Sequence, residues 1–416
     1  MQIRRTKFLL FIIFLIFVLF FTNDLGLIDV EKTSIITAVA IDKDDKDYTV
    51  TAQIAVPEAT DTNTENQKAE LSGKGSTIGG ALKDLGDTSG WYPKLSFCNL
   101  IILGDGLSET NVINVLDYFA KTLRVQDSAL VAICDMPAKE ILSLSTPLDN
   151  VSSFAIQKIM LKNIGFDRDI SSADIKTFCS GHYSKSGSAF MPIIKCVPSK
   201  DQGKDSNSSS NSGSNQSSSE SSQGGGSSSS TGESNSNSSD KQNKILFDAR
   251  TTALFKDGYK VGELDQDLTL IFNAFGPNFN GTTLSIDDVP YRNENVNYLL
   301  TVLNKTSSIK LKATENELVL NLNLSLYCKV SDVNVGNSEA ALSENQPLPD
   351  IVKEMAEKKL KNDLTELLLT IKNTECDLLN VKEKLYRHNY KQYSRYKDNY
   401  LSVLKVNADI NVYGQS

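Results

Sequence analysis

The sequence is poor in the residues on which enzymatic sites are usually built. Only two histidines occur, His182 and His388. Six cysteines, Cys98, Cys134, Cys179, Cys196, Cys328 and Cys376, are scattered without a C-x-x-C pair, which argues against a zinc framework and against a dense disulfide scaffold. Most lie among apolar neighbours, as in LSFCNLIIL and ALVAICDM, and read as small buried hydrophobes. One disulfide outside the cytoplasm stays open. No G-x-x-x-x-G-K-[ST], H-E-x-x-H, G-x-S-x-G or strand-borne G-x-G-x-x-G is present. GKGST lacks phosphate-loop spacing and reads as a helix-capping turn. Cys179 and His182 make a C-x-x-H pair, but two ligands without two more nearby are a poor zinc site, and His182 reads as a loop residue. His388 lies in YRHNYKQYSRYKDNY, a tyrosine-rich and basic stretch. It reads as a solvated amphipathic face, with lipid headgroups or a partner as the other option. The carboxylates of SIDDVP read as turn residues. No catalytic, cofactor-binding or metal-binding residue is assigned, and the residues point to a binding or assembly protein, not an enzyme. A formal net charge of −8 argues against a nucleic-acid partner, which needs basic patches.

What is present begins at the N-terminus. Arg4, Arg5 and Lys7 precede an unbroken apolar run from Phe8 to Phe21, followed by Asp24, Asp29 and Glu31. Basic residues, an apolar run and then acidic residues predict an N-in topology with the bulk of the chain outside the cytoplasm. The run suits a signal-peptide core, whereas a comfortable span needs roughly 20 residues. FFTNDLGLID offers no pair of small residues for a leader peptidase: Gly26 at the cleavage position would put Asp24 two residues before it. An uncleaved anchor over 1–28 is therefore expected.

Beyond it, strands and helices alternate over 29–148. SIITAVAID and YTVTAQIAV flank the polar KDDKD as a hairpin, STIGGALKDLG is a helix, and KLSFCNLIILG is a buried strand. Ser108 is expected to cap the helix ETNVINVLDYFAKTL, SALVAICDM is a strand, and PAKEILSL opens a helix with Pro137 in its first turn. This is a mixed α/β sheet. A middle domain is expected over 149–278, with helices in VSSFAIQKIMLKNIG and SSADIKTFCSG, an extended GSAFMPIIKCV, and a hairpin from ILFDARTTALF through KDG to YKVGELD. Within it, 199–243 is almost all Ser, Asn, Gly and Gln and is expected to be disordered. The strand before the tract and the hairpin after it are each poorly covered alone, so an insertion within one domain is favoured over a linker; loop closure grows only logarithmically with length. The last region, 279–416, reads as α+β. ELVLNLNLSLYCKVSDV alternates as a half-buried strand, and Val352, Met355, Ala356, Leu360, Leu364, Leu367 and Ile371 form the apolar stripe of a long helix. The overall expectation is three mixed α/β domains after an N-terminal membrane helix.

Several of these stretches together resemble the Ger(x)C proteins, the C subunits of spore germinant receptors. The pattern is Gly-Cys-Trp-Asp, a Glu soon after, an apolar stretch ending in Gly-x-Asp, then a hairpin; Gly26, Asp29, Glu31 and Asp42 match it. GKGSTIGGALKDL, LSFCNLIILGDGLSE, TTALFKDGYKVGELD, the 377–387 region and VNADINVYG are similar to later segments, in the same order. Members are usually lipoproteins acylated on the Cys after the Gly. Here that place is Leu27, and Asp24 stands where the lipidation signal has Leu, so no lipidation is expected. The resemblance implies a non-enzymatic, membrane-anchored subunit without cofactor, with integral-membrane A- and B-type receptor subunits as partners, in the spore inner membrane. The alternative is an extracytoplasmic solute-binding protein or hydrolase with an unrecognised site.

Overall fold

The computed structural model describes residues 11–15, 17, 33–55, 68–121, 125–161, 169–198, 245–276, 279, 281–291, 294–334 and 347–415. Position 27 and the Ser-rich tract lie outside them, as does most of the expected anchor. Residues 11–15 and 17 are helical, with Phe11, Phe14 and Phe17 exposed. Among the described residues no helix is long and apolar enough to cross a membrane.

The fold is mixed α/β. One large sheet takes β1 (Thr33–Asp44), β2 (Asp47–Ala55), β3 (Lys68–Gly75), β5 (Leu100–Leu103), β6 (Leu130–Cys134), β8 (Ser188–Pro198), β9 (Ile245–Lys256) and β10 (Tyr259–Leu264). The order is β10-β9-β8-β6-β5-β1-β2-β3; β4 (Tyr92–Lys94) pairs with β1, and β7 (Ala173–Asp174) with β6. β1, β5, β6 and β8 run parallel, so they begin at one end of the sheet. All four residues of β5, LIIL, are buried, as expected of a strand covered on both faces.

The period of two distributes those side chains. Ile101 and Leu103 join Ile36, Val39 and Ile41 beneath α1 (Ile78–Ser89), α2 (Ile113–Lys121) and α5 (Ile175–His182). Leu100 and Ile102 join Ala38 and Ala40 on the other face, beneath α3 (Ala138–Ser143) and α4 (Ser152–Leu161). Strands from the stretch assigned to the first domain and from the stretch assigned to the middle one share this sheet. β8 and β9, which flank the Ser-rich tract, pair antiparallel from Ser188–Lys256 to Pro198–Ile245.

After α6 (Gln266–Ala274), a second sheet is ordered β11-β12-β13-β14, with β11 Thr283–Tyr291, β12 Glu294–Ala313, β13 Leu318–Asn334 and β14 Leu404–Gly414. β13 and β14 are parallel, connected through α7 (Asp350–Thr374), α8 (Val381–His388), α9 (Tyr390–Tyr396) and α10 (Tyr400–Val403). β13 turns Leu320, Leu322, Leu324, Leu326 and Cys328 inward against Val352, Ala356, Leu360, Leu364, Leu367 and Ile371 of α7; Met355 is half-buried. On the opposite face Asn321, Asn323 and Ser325 are polar, and Asn407 donates to Asn321 across the parallel pair at 3.1 Å. The two sheets meet at a seam. Leu254 and Leu264 of the first enter the core of the second, the Asp377 N–H donates to Ser188 Oγ at 2.8 Å, and the Cys376 thiol donates to the Phe255 carbonyl at 3.4 Å.

Local details correct the sequence reading. Ser108 does not cap α2; it ends a short 3-10 turn, and Asn111 Oδ1 accepts the Ile113 N–H instead, at 3.1 Å. Pro137 is the residue before α3, not inside it. KLSFCNLIILG is a strand only from Leu100; Leu95–Phe97 is a 3-10 turn with Phe97 exposed. Asp287 and Asp288 lie in β11, not in a turn: a register shift between Ile286 and Val289 accommodates them, with Asp288 at φ 57°.

Candidate functional site: an aromatic cleft where the large sheet begins

α1 starts at Thr77, whose hydroxyl accepts the Gly80 N–H at 3.1 Å, and ends at Gly90, whose φ of 73° turns the chain back toward β4. The Gly90 N–H closes on the Gly86 carbonyl at 2.9 Å, a left-handed helix end that favours glycine. The next residue is Trp91, the one tryptophan of the sequence, 46% exposed. Trp91, Tyr92, Pro93, Leu82 and Tyr118 line a cleft of about 600 Å³, together with Lys83 and Asp87. Two glycines keep it open. A Cβ on Gly79 would stand 3.1 Å from the Tyr118 ring, and one on Gly86 would stand 3.3 Å from Pro93.

This volume and an aromatic lining with few polar groups suit an apolar or flat ligand group, held by burial and not by chemistry. The cleft contains no cysteine or histidine. Elsewhere, loss of water pushes the thiols of Cys98, Cys328 and Cys376 up to about 12 and that of Cys179 up to about 11, so they stay protonated at neutral pH. The six cysteines are free; Cys98, Cys134, Cys328 and Cys376 are buried, Cys179 and Cys196 half-buried. Among the described residues no group of three His, Cys, Asp or Glu side chains is placed to hold a metal. Cys179 and His182 are both on α5, the histidine at its last position and edge-on to Tyr183, so His182 is not a loop residue. His388 ends α8 and is exposed, beside the ring cluster of Tyr386, Tyr390 and Tyr393.

A second, polar cleft of about 570 Å³ opens at the seam between the sheets. It is lined by Lys256, Lys372, Lys382 and Lys397 together with Asp257, Glu375 and Asp398, so cations and anions nearly balance. Beneath it Asp377 is buried, and its carboxylate accepts the first N–H groups of α8, from Val381 at 2.9 Å and Lys382 at 2.8 Å. Burial raises its pKa, and those two bonds oppose the rise.

Of the motif residues singled out in the sequence, Gly26, Asp29 and Glu31 lie outside the described residues, and Asp42 holds the fold together. Asp42, at the end of β1, accepts the N–H groups of Ala138 (2.7 Å) and Lys139 (2.9 Å) and so caps α3 from across the sheet. Burial raises its pKa, while the same two bonds pull it down. Gly104 leaves room for it, since any Cβ there would collide with the Asp42 carboxylate. The Asp257–Gly258 turn between β9 and β10 takes positive φ at both residues and is clasped by Asn111 Nδ2, which donates to the Asp257 carbonyl at 3.2 Å, and by the Val112 N–H on the Gly258 carbonyl at 2.9 Å. Sequence reasoning missed the Trp91 cleft; its one signal was the string GWYP after a helix.

Residues 27–196 match the family model described as the spore germination protein N-terminal domain, and residues 250–414 match the one described as spore germination B3/GerAC like, C-terminal. The chain is similar to the crystal structure of the GerBC protein at 13% identity and a TM-score of 0.45, over 93% of this chain and 100% of that one. No curated protein sequence matches.

Proposed function

The chain belongs to the Ger(x)C family of spore germination proteins, and from that premise we propose that it is the membrane-anchored C subunit of a nutrient germinant receptor, acting by docking and not by catalysis. The observation that carries the reading is the pair of family matches, which run in order over most of the chain. In this reading the apolar run 8–21 is an uncleaved, single-pass anchor with the bulk outside the cytoplasm. Leu27, at the place where the resemblance implies an acylated cysteine, leaves that run as the tether. The partners are integral-membrane A- and B-type subunits, and the compartment is the spore inner membrane. In this reading the anchor is 1–28, the stretches 29–148 and 149–278, expected as two domains, share the large sheet with the tract 199–243 as an insertion between two of its strands, and 279–416 is the C-terminal domain.

A pull-down of the full chain from sporulating cells tests this: multi-span membrane proteins are expected to come with it. Spores lacking the chain and related receptors are expected to lose the nutrient response, and a normal response in them overturns the receptor reading. Carbonate washing tests the anchor, and a soluble product starting at or after Leu27 would sink it. The Trp91 cleft supports a second reading, an extracytoplasmic solute-binding protein, which requires saturable, lipid-independent quenching of Trp91 by a small solute.

A further inference from the structure

We propose that the end of the large sheet at which β1 enters rests on the lipid surface, with Trp91, Ile35 and Phe97 seated in the headgroup region. How the chain reaches the membrane rests on the anchor reading above; which face touches it rests on the following observations. Ile35, Trp91 and Phe97 are 45%, 46% and 52% exposed, large apolar side chains left open to water. They belong to one end of the sheet: β1 pairs with β4 from Thr33–Tyr92 to Ile35–Lys94, Trp91 directly precedes β4, and Phe97 closes the turn that leads into β5.

That end is also where the apolar run leads. Positions 22–32 separate Phe21 from Thr33, a stretch that reaches at most about 40 Å when fully extended. The far end of β1 is a further ~40 Å away at about 3.3 Å per residue. With the run in the bilayer, the connection holds the Trp91 end within about 40 Å of the lipid and leaves the far end without such a bound of its own. The chemistry fits the interface. Tryptophan and tyrosine combine an apolar ring with a polar edge and concentrate at headgroup level. The cleft beside Trp91 gives a lipid group an apolar wall from which to displace water. Lys83 and Asp87, one turn apart on α1, bring one charge of each sign to the cleft lining, so the lining is electrically balanced. The contact therefore depends on apolar burial and not on anionic lipid.

The sole tryptophan makes the test direct. The full chain is reconstituted into phosphatidylcholine vesicles brominated on the acyl chains near the headgroup, and Trp91 emission is compared with that in ordinary vesicles. Trp91 is expected to lose most of its emission, to the same extent when part of the lipid is anionic. A chain carrying Trp91→Phe and Tyr413→Trp moves the reporter to an exposed site on the second sheet and is expected to stay bright. Phe97→Asp is expected to reduce the quenching without changing the thermal midpoint, because Phe97 is exposed. Equal Trp91 emission in both vesicles, with the chain still resisting carbonate, overturns this proposal and leaves the anchor reading standing. Release by carbonate overturns both. Shielding of Trp91 only when multi-span proteins are added assigns the face to a protein partner and also overturns it.

Discussion

Asp363→Asn should stabilise the C-terminal half of the chain at neutral pH and leave it unchanged in acid. Asp363 lies on α7 where it crosses the start of α6. Asp265 caps α6 there, accepting the Leu268 N–H at 2.9 Å, and Asp267 follows in the first turn, 3.3 Å from Lys359. Those two carboxylates gain from the positive end of α6. Asp363 gains nothing comparable. Loss of water first, then repulsion by Asp267, raises its pKa from 3.8 to about 6, against a partial pull from Lys359. The sign follows from linkage. A carboxyl that holds its proton more tightly in the folded state favours folding below the unfolded pKa, and that contribution is lost as pH rises through the folded value. At 1.36 kcal/mol per pKa unit the rise is worth roughly 3 kcal/mol unscreened. The group is only half-buried, so solvent screening leaves about 1 kcal/mol. Asparagine removes that penalty. Thermal melts from about pH 4 to about pH 7.5 should show the variant level with the parent at the acid end and higher by about 2–4 °C at the neutral end. A difference that stays flat, or shrinks toward neutral pH, refutes the argument.

Leu364→Asp should abolish the cooperative melt of the second sheet. Leu364 is 1% exposed in the core against β13; an unpaired charge there costs several kcal/mol of a typical 5–15 kcal/mol, whereas Leu364→Ala should lose about 3–5 kcal/mol and stay folded. Asp42→Ala should cost about 1–2 kcal/mol by uncapping α3, seen as faster hydrogen exchange at Ala138 and Lys139; unchanged exchange there would remove the capping role. Replacing 199–243 by a short turn should leave the melting curve nearly in place, at about 0.6 kcal/mol per halving of loop length in favour of the shorter loop; a large downward shift would show that the tract packs on the fold.

Much of this architecture was legible because periodicity alone specifies it. The α7 stripe recurs at helical spacing from Val352 to Ile371, and β13 alternates leucines with asparagines, so both faces are assigned without tertiary knowledge. Where contacts are non-local, the sequence fell silent. Asn111 outcompetes Ser108 because the β9–β10 turn docks on it, a contact across 146 positions. Asp42 was visible as a motif residue, but its partners, the Ala138 and Lys139 amides, come from another element. The cleft combines α1 and β4 with Tyr118 of α2, and no spacing rule connects Trp91 to that ring.

The pairing of β8 with β9 means that the covalent link between the two family-matched halves is dispensable for their cohesion. Their strands are joined from Ser188–Lys256 to Pro198–Ile245 with one register shift between Ile193 and Lys195, and the seam adds the Asp377 N–H on Ser188 Oγ and Phe190 edge-on to Phe272. A chain severed once between Pro198 and Ile245 would keep every one of these pairings. Its two fragments would travel as one particle under native conditions and come apart only in denaturant. Expressed as separate polypeptides, they are expected to find each other and reconstitute the fold, so the protein can in effect be encoded in two pieces.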